Sequence, residues 1–396
     1  MKTIVNGNRS VAVNPLSVID RIIAALELSH TQHGEATRSY QAVAQVLAKW
    51  IPGINVAIHP QGSMRQGTTI KPMNQEQFDL DMLCWLELDA AQNAPEAVYE
   101  RVWTALGKDE TYRGMRNKKS RCIELIYPAE KQFHLDVVPA VPASALNGSI
   151  YVPDQELKRW CHSSPLVFCD KWFKKAGETL PRIHKIAIAN ARDEKIINAS
   201  AYVEPMPEYG AFEKTPLQRV VQLLKRDRDV HFQNDTKYRP ASVLLTTLTT
   251  HSYSSVVQDS VSDLFEFVLK VVAKLPDFIE VTGPVNRRTF AVFNPVNHPE
   301  NFAEKWTEEH YARFRAWHTR LMTGLQCIAE SRGQGMDVLL NRISDNFGKQ
   351  AVIKAADALG ADTRALHEEG RLRVSSGLVG TVGAIVPSTI NFGSET

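Results

Sequence analysis

Long hydrophobic runs are missing from this 396-residue chain. No stretch approaches the roughly 20 apolar residues that a membrane helix needs, and Val374–Pro387 is broken by Ser375, Ser376, Gly377 and Gly380. Met1–Ser10 lacks the apolar core of a signal peptide, so the expectation is a cytoplasmic protein without a membrane partner. Cysteine is scarce and scattered: Cys84, Cys122, Cys161, Cys169 and Cys327 contain no Cys-x-x-Cys pair. That excludes a disulfide framework, and the Cys161-His162 and Cys169 group lacks the ligand spacing of structural zinc. Net charge is nearly absent, with 46 Lys plus Arg against 44 Asp plus Glu. A polybasic nucleic-acid binder is excluded, although local patches are not. Internal repeats and low-complexity tracts are lacking too. What remains is a globular composition, 43% hydrophobic and 23% charged, on a chain long enough for two or three domains.

Hydrophobic periodicity organises the chain. Helical spacing runs over Leu16–Leu28 and again from Glu35 to Trp50. Pro52-Gly53 ends the second helix, and Ile54–Ile58 reads as a strand. A polar loop, Gln61–Gly67, leads into a strand at Phe78–Leu88, followed by a helix at Pro95–Leu106 and strands at Arg121–Tyr127 and Phe133–Val138. After Pro142 helical patterns dominate: Pro165–Ala176, Pro216–Phe232, Pro240–His251, Val261–Leu275, Asn301–Ala329 and Val338–Leu359. The fold class expected is α+β, a mixed-sheet first lobe over residues 1–150 and a helical lobe over 151–385. Residues 386–396 read as a polar, flexible tail.

The sharpest chemical signal is Phe78-Asp79-Leu80-Asp81-Met82. Carboxylates at i and i+2 on a strand share one face, where two buried acids repel and resist ionising. A divalent cation relieves that repulsion, and Mg²⁺ favours carboxylates together with phosphate oxygens. Seen alone, Asp-x-Asp also fits a solvated strand edge. Asp136, in the apolar strand Phe133–Val138, adds a third carboxylate, enough for two metals. Gly62-Ser63 follows the Ile54–Ile58 strand, where a glycine lets backbone amides approach a phosphate and the hydroxyl adds a donor.

Together, Gly62-Ser63, Asp79-x-Asp81 and Asp136 resemble the signature of the polymerase-β-like nucleotidyltransferases. The segments Pro216–Asp229, Arg239–Leu248 and Asn294–Trp306 narrow the likeness to the cGAS/DncV-like nucleotidyltransferases, bacterial enzymes that make cyclic oligonucleotide signals in anti-phage defence. The likeness covers roughly Leu16 to Arg332. Fifteen residues separate Ser63 from Asp79, more than is usual in the superfamily, with the polar segment Lys71–Gln77 absorbing the excess.

The resemblance implies a bilobal fold with the active site between a catalytic core and a helical domain like that of oligoadenylate synthetases. It implies Asp79, Asp81 and Asp136 as catalytic metal ligands for two Mg²⁺ ions, with Mn²⁺ able to substitute. Gly62, Ser63, Lys225 and Ser242 become the nucleotide-binding residues. The substrates implied are ribonucleoside triphosphates, ATP among them, joined by attack of a ribose hydroxyl on an α-phosphate with loss of pyrophosphate. The product would be a cyclic di- or trinucleotide read by a downstream effector. Alternatives on the same fold are a linear-oligonucleotide, RNA-tailing or antibiotic-modifying enzyme, and a nucleotide- or RNA-binding regulator without catalysis. The resemblance further suggests a ubiquitin-ligase-like partner acting on the C-terminus, against an ordinary frayed end. Activation by nucleic acid stays open.

Other residues take plainer readings. Lys225 sits on the polar side of an amphipathic helix, as a solvated lysine also would. His134 shares the Asp136 face and reads as a polar strand position or an acceptor contact. The basic run Arg113–Arg121 reads as solvated or as phosphate-attracting, Trp160, Phe168, Trp172 and Phe173 as packing, and Tyr238 as a base-stacking candidate. Charge is segregated beneath the near-zero sum. Glu76–Glu100 holds seven acids and no Lys or Arg, whereas Glu213–Arg239 holds seven basic residues and four acids.

Overall fold

The computed structural model describes residues 15–385, apart from 74–76, 144–147, 157, 184–200, 208–213, 286, 332–335, 371–372, 376–377 and 381–383. The C-terminal tail proposed for conjugation lies outside the described residues.

Alternating apolar residues build the central sheet. Strands β1 (Val56–Pro60), β2 (Phe78–Leu86), β3 (Arg116–Lys118), β4 (Ile123–Ile126) and β5 (Phe133–Pro142) stand in the order β3-β4-β5-β2-β1, with Ala201–Val203 beyond β1. The β2–β5 pair is parallel; β1–β2, β3–β4 and β4–β5 are antiparallel. One face of the pleat buries Phe78, Leu80, Met82, Leu125, Phe133, Leu135 and Val137 against helices α2 (His30–Trp50) and α4 (Pro95–Lys108). Period-2 alternation then forces Asp79, Asp81, His134, Asp136 and Glu124 onto the opposite face.

Several elements differ from their sequence reading. The Gln61–Gly67 loop is a one-turn helix, α3 (Gly62–Gln66), ended by Gly67 in the left-handed region at φ 68°. It forms despite its polarity because Met64, Arg65 and Gln66 are all buried. The half beyond Pro142 is not purely helical. Strands β6 (Ile150–Asp154) and β7 (Arg159–Ser163) extend the sheet from β5, and Ala201–Val203 pairs in parallel with β1. The Asn301–Ala329 helix begins only at Glu308, because Asn297–Asn301 is a strand paired with Phe293–Asn294. Val338–Leu359 is two helices, Met336–Phe347 and Lys349–Glu368, divided at Gly348 with φ 83°.

A second core belongs to the helices. Leu217, Val221, Leu244, Phe265, Phe314 and Trp317 are fully or almost fully buried in it. Helix α1 (Pro15–Leu26) contributes Ile19, Ile22, Ile23 and Leu26 to this cluster and packs on Lys349–Glu368. The chain therefore crosses between the two cores at both ends of the sheet lobe.

Candidate active site

The acidic face of the sheet is set by register. Asp81 lies opposite Asp136, and Asp136 lies opposite Glu124, so three carboxylates form one row across β2, β5 and β4. The next row pairs Asp79 with His134, whose Nε2 stands 2.9 Å from Asp79 Oδ1. That hydrogen bond holds the Asp79 carboxyl below its ordinary range, while the bond to Asp79 raises the His134 imidazole. Burial, then the neighbouring Asp79 and Asp136 charges, pushes Asp81 up to about 7. Burial also raises Asp136. Its buried Oδ1 has no hydrogen-bond partner among the described residues.

These features fit a divalent cation. Buried carboxylates that repel one another gain from a shared positive charge, and an orphaned buried oxygen is a ready ligand. Glu124, His134 and Asp136 also bring ligand atoms within 4.8 Å of one another. Glu124 was not singled out from sequence. Its signal was an acid at every second position read across strands, which needs the register to be known.

Helix α3 closes over this face. Gly62 has φ 59°, and a Cβ there would lie 1.9 Å from Asp81 Oδ2. Only glycine permits that approach. The Ser63 hydroxyl accepts a 2.9 Å hydrogen bond from Thr69 Oγ1. Behind the helix, buried Arg65 donates to Glu204 (2.6 Å) and Asp170 (2.6 Å), tying α3 to the Ala201–Val203 edge and to the wall helix around Phe168. Phe168–Phe173 forms a π-helical turn, a feature enriched at functional sites.

The facing wall comes from the helical lobe. Lys225 is not a solvated lysine: it is 4% exposed and donates to the Thr68 carbonyl (3.1 Å) and hydroxyl (3.0 Å). Burial, and then the Arg228 charge, pushes its ammonium down to about 7. Ser242 opens the helix Ser242–Val256, and its hydroxyl accepts from Arg228 Nη1 at 3.0 Å. Gly62, Ser63, Asp79, Asp81, Lys225 and Ser242 line one cleft of about 700 Å³, with Arg239 beside them. Asp136 does not line the cleft. It stands one strand over, beside Asp81 and toward Glu124.

The remaining candidates are engaged elsewhere. Tyr238 packs edge-on against His310 with centroids 4.9 Å apart and does not line the cleft. In the basic run, Arg116 lies over the Trp103 ring, Lys118 pairs with Glu100, Lys119 with Glu124 and Arg121 with Asp154. Acids thus offset Lys118, Lys119 and Arg121, three of the five basic residues that the sequence offered as a phosphate-attracting patch. Phe168 packs on Trp172 as expected, at 4.9 Å, yet it also lines the cleft. No described helix is long and apolar enough to cross a membrane.

Comparison with known proteins agrees with this geometry. Residues 17–176 match the family profile of the Second Messenger Oligonucleotide or Dinucleotide Synthetase domain. The chain is 32% identical over 346 residues to a c-di-GMP synthase of Roseivirga ehrenbergii, covering 85% of each protein. It is 23% identical over 359 residues to the cyclic dinucleotide synthase CdnG of Bradyrhizobium diazoefficiens, covering 86% of this chain and 82% of the relative. The structure of that CdnG in complex with GTP superposes with a TM-score of 0.63 at 21% identity, over 88% of this chain and 99% of the other. The chain belongs to the cGAS/DncV-like nucleotidyltransferases, the enzymes that synthesise cyclic oligonucleotides from nucleoside triphosphates.

Proposed function

We propose that this enzyme condenses ribonucleoside triphosphates into a cyclic di- or trinucleotide through Asp79, Asp81 and Asp136, with Mg²⁺ as the working ion at two positions and Mn²⁺ as a substitute. One observation carries the reading: Asp81 and Asp136 stand in register on adjacent parallel strands, with Gly62 pressed against Asp81 and a cationic wall opposite. Bound divalent ions supply Lewis-acid stabilisation to phosphate and to an attacking oxygen. The chain's own part is positional. Asp79, steadied by His134, and Asp81 fix the donor side within the cleft. Gly62 and Ser63 bring backbone and hydroxyl donors to the triphosphate, and Lys225, Ser242 and Arg239 face it with positive charge and a hydroxyl. The acceptor ribose hydroxyl approaches from the Asp136 side, attacks the α-phosphate in line, and pyrophosphate departs. A second such transfer closes a dinucleotide ring, and a third closes a trinucleotide ring, each releasing one pyrophosphate.

The R. ehrenbergii relative being a c-di-GMP synthase, and CdnG having been solved with GTP, adds GTP to the ATP expected from the sequence. The membership of the family supports a role in anti-phage defence, in which a separate effector receives the product. The test is incubation with labelled nucleotides, singly and in pairs with Mg²⁺, followed by mass spectrometry. A phosphatase-resistant product without free ends is expected, lost in Asp79→Ala and Asp81→Ala while the melting temperature holds. Full activity in the double variant overturns the site, and a ladder of linear RNA overturns cyclisation in favour of tailing.

A further inference from the structure

Two groups of residues line the cleft. Lys225, Arg228, Asp229 and Arg239 come from the helical wall, where Asp229 pairs with both arginines. Ser163, Pro165, Phe168, Asn294, Glu300 and Phe302 come from the end of β7 and the segment that follows it, and from the Phe293–Asn301 strand pair with the residue after it. This second group holds no Lys or Arg, so it is suited to the base rather than to the triphosphate. The apolar side there is Phe168, in edge-on contact with Phe302 at 6.2 Å.

Glu300 is held firmly. Its Oε2 accepts from Asn294 Nδ2 at 2.7 Å and from Asn297 Nδ2 at 3.2 Å. Both asparagines are almost fully buried. Asn294 Oδ1 accepts from the Val296 amide at 3.0 Å, which fixes the orientation of its side-chain amide. Asn297 is oriented in turn by His162, through Nδ1 at 2.7 Å and the backbone carbonyl at 3.2 Å. Both amides are spent on one oxygen, and Oε1 accepts no hydrogen bond among the described residues.

Resting on the nucleotidyltransferase reading above, we propose that Glu300 reads a guanine base in this cleft. An ionised carboxylate only accepts hydrogen bonds. Guanine is the common base whose pairing edge offers two adjacent donors, N1–H and the N2 amino group. Adenine turns the N1 acceptor toward that position, and cytosine its N3 acceptor. Uracil has a single N–H between two carbonyls. A carboxylate anchored at one oxygen thus rewards guanine and penalises each alternative, because a mismatched base leaves buried polar groups unpaired.

The test compares GTP, ITP and ATP as competitors of a fluorescent GTP analogue on the full-length protein, with Glu300→Gln alongside. Inosine keeps N1–H and lacks the N2 amino group. The wild type is expected to bind GTP tighter than ITP, and ITP tighter than ATP. Gln keeps an oxygen for the two asparagine amides, so melting temperature should hold while the GTP preference over ATP shrinks about tenfold or more. Equal binding of GTP and ITP by the wild type overturns the proposal even if the variant fails to fold. So does a folded E300Q with unchanged preference. Loss of product in Asp79→Ala alongside unchanged base choice in E300Q would remove this assignment alone. Retained product in Asp79→Ala would remove the reading on which it rests.

Discussion

Gly62 and Asp81 cannot be separated in function, because the Cα of one occupies the space beside the carboxylate of the other. Gly62→Ala would set a methyl group 1.9 Å from Asp81 Oδ2 on a backbone at φ 59°. Either the carboxylate or the α3 turn must shift by about an ångström, a displacement that can cost on the order of 100-fold in rate. Pyrophosphate release should fall by that order while circular dichroism stays unchanged. Glu204 gives the clearest pH dependence. Burial alone would raise its carboxyl, but hydrogen bonds from His59 and Arg65 outweigh burial and hold it down at about 2, against 4.5 when unperturbed. A carboxyl depressed in the folded state contributes stability above its unfolded value and loses it as pH falls toward the folded one. Wild-type melting temperature should therefore drop between pH 5 and pH 2 more steeply than that of Glu204→Gln, whose melting temperature should already be lower at pH 7. An equal slope in the two proteins would dismiss the Glu204 contribution. At this scale the sequence singled out Asp79, Asp81 and Asp136, and strand pairing brings Asp81 into register with Asp136. Glu204 and Asp170 escaped notice, and His134 was read without its Asp79 partner, because each finds its partner only through strand pairing or a contact more than 50 positions away.

The helix Pro216–His231 shows what an element's polar face can conceal. Its apolar residues Leu217, Val220, Val221 and Leu224 follow helical spacing, and its start is a full capping box of Thr215 with Gln218. The polar side reads as solvated, yet it is buried. Gln218 donates to the Gln66 carbonyl at 2.7 Å, Gln222 to Thr69 at 2.9 Å, Lys225 to Thr68, and Arg226 to Lys71. Positions 218, 222, 225 and 226 share one helical face, so this side forms a ladder along the segment that leaves α3. The same helix carries Asp227, fully buried and accepting from Trp317 Nε1, Arg320 Nη2 and Asn346 Nδ2 at 2.6–2.8 Å. Asp227→Ala leaves two buried donors, Trp317 Nε1 and Asn346 Nδ2, and the partly exposed Arg320 guanidinium without their acceptor, and should cost on the order of 3 kcal/mol in urea unfolding. Gln222→Leu leaves the Thr69 carbonyl without its donor, a loss of about 1–3 kcal/mol. It should also weaken nucleotide binding, since the ladder positions the Ser63–Thr69 turn. Periodicity located this helix. Its neighbours decided that a charged face would be interior.

Across the whole molecule, the cleft lies where the sheet core and the helical core meet, and its lining comes from both. A ligand that binds only the folded state stabilises it by about 2.7 kcal/mol at 100 times its dissociation constant. Triphosphate with Mg²⁺ should thus raise the melting temperature of the whole chain in one transition. Asp79→Ala/Asp81→Ala should abolish the Mg²⁺-dependent part of that rise; an undiminished rise would place the nucleotide elsewhere. The near-zero net charge also resolves at this scale, as acids along β2 oppose cations on the helical wall.

The sequence by itself determined the alternation that drives Asp79, Asp81 and Asp136 to one face, and the helical periods of the second half. Both follow from local geometry, the two-residue repeat of a strand and the 3.6-residue repeat of a helix. Tertiary structure alone decided that Asp81 meets Asp136 in register and that α1 joins the helical core. It also decided that Lys225 is buried and that Glu300, held by Asn294 and Asn297, lines the cleft. Those outcomes depend on which distant segments pack together, and hydrophobic patterning specifies which face is buried without naming the partner that covers it.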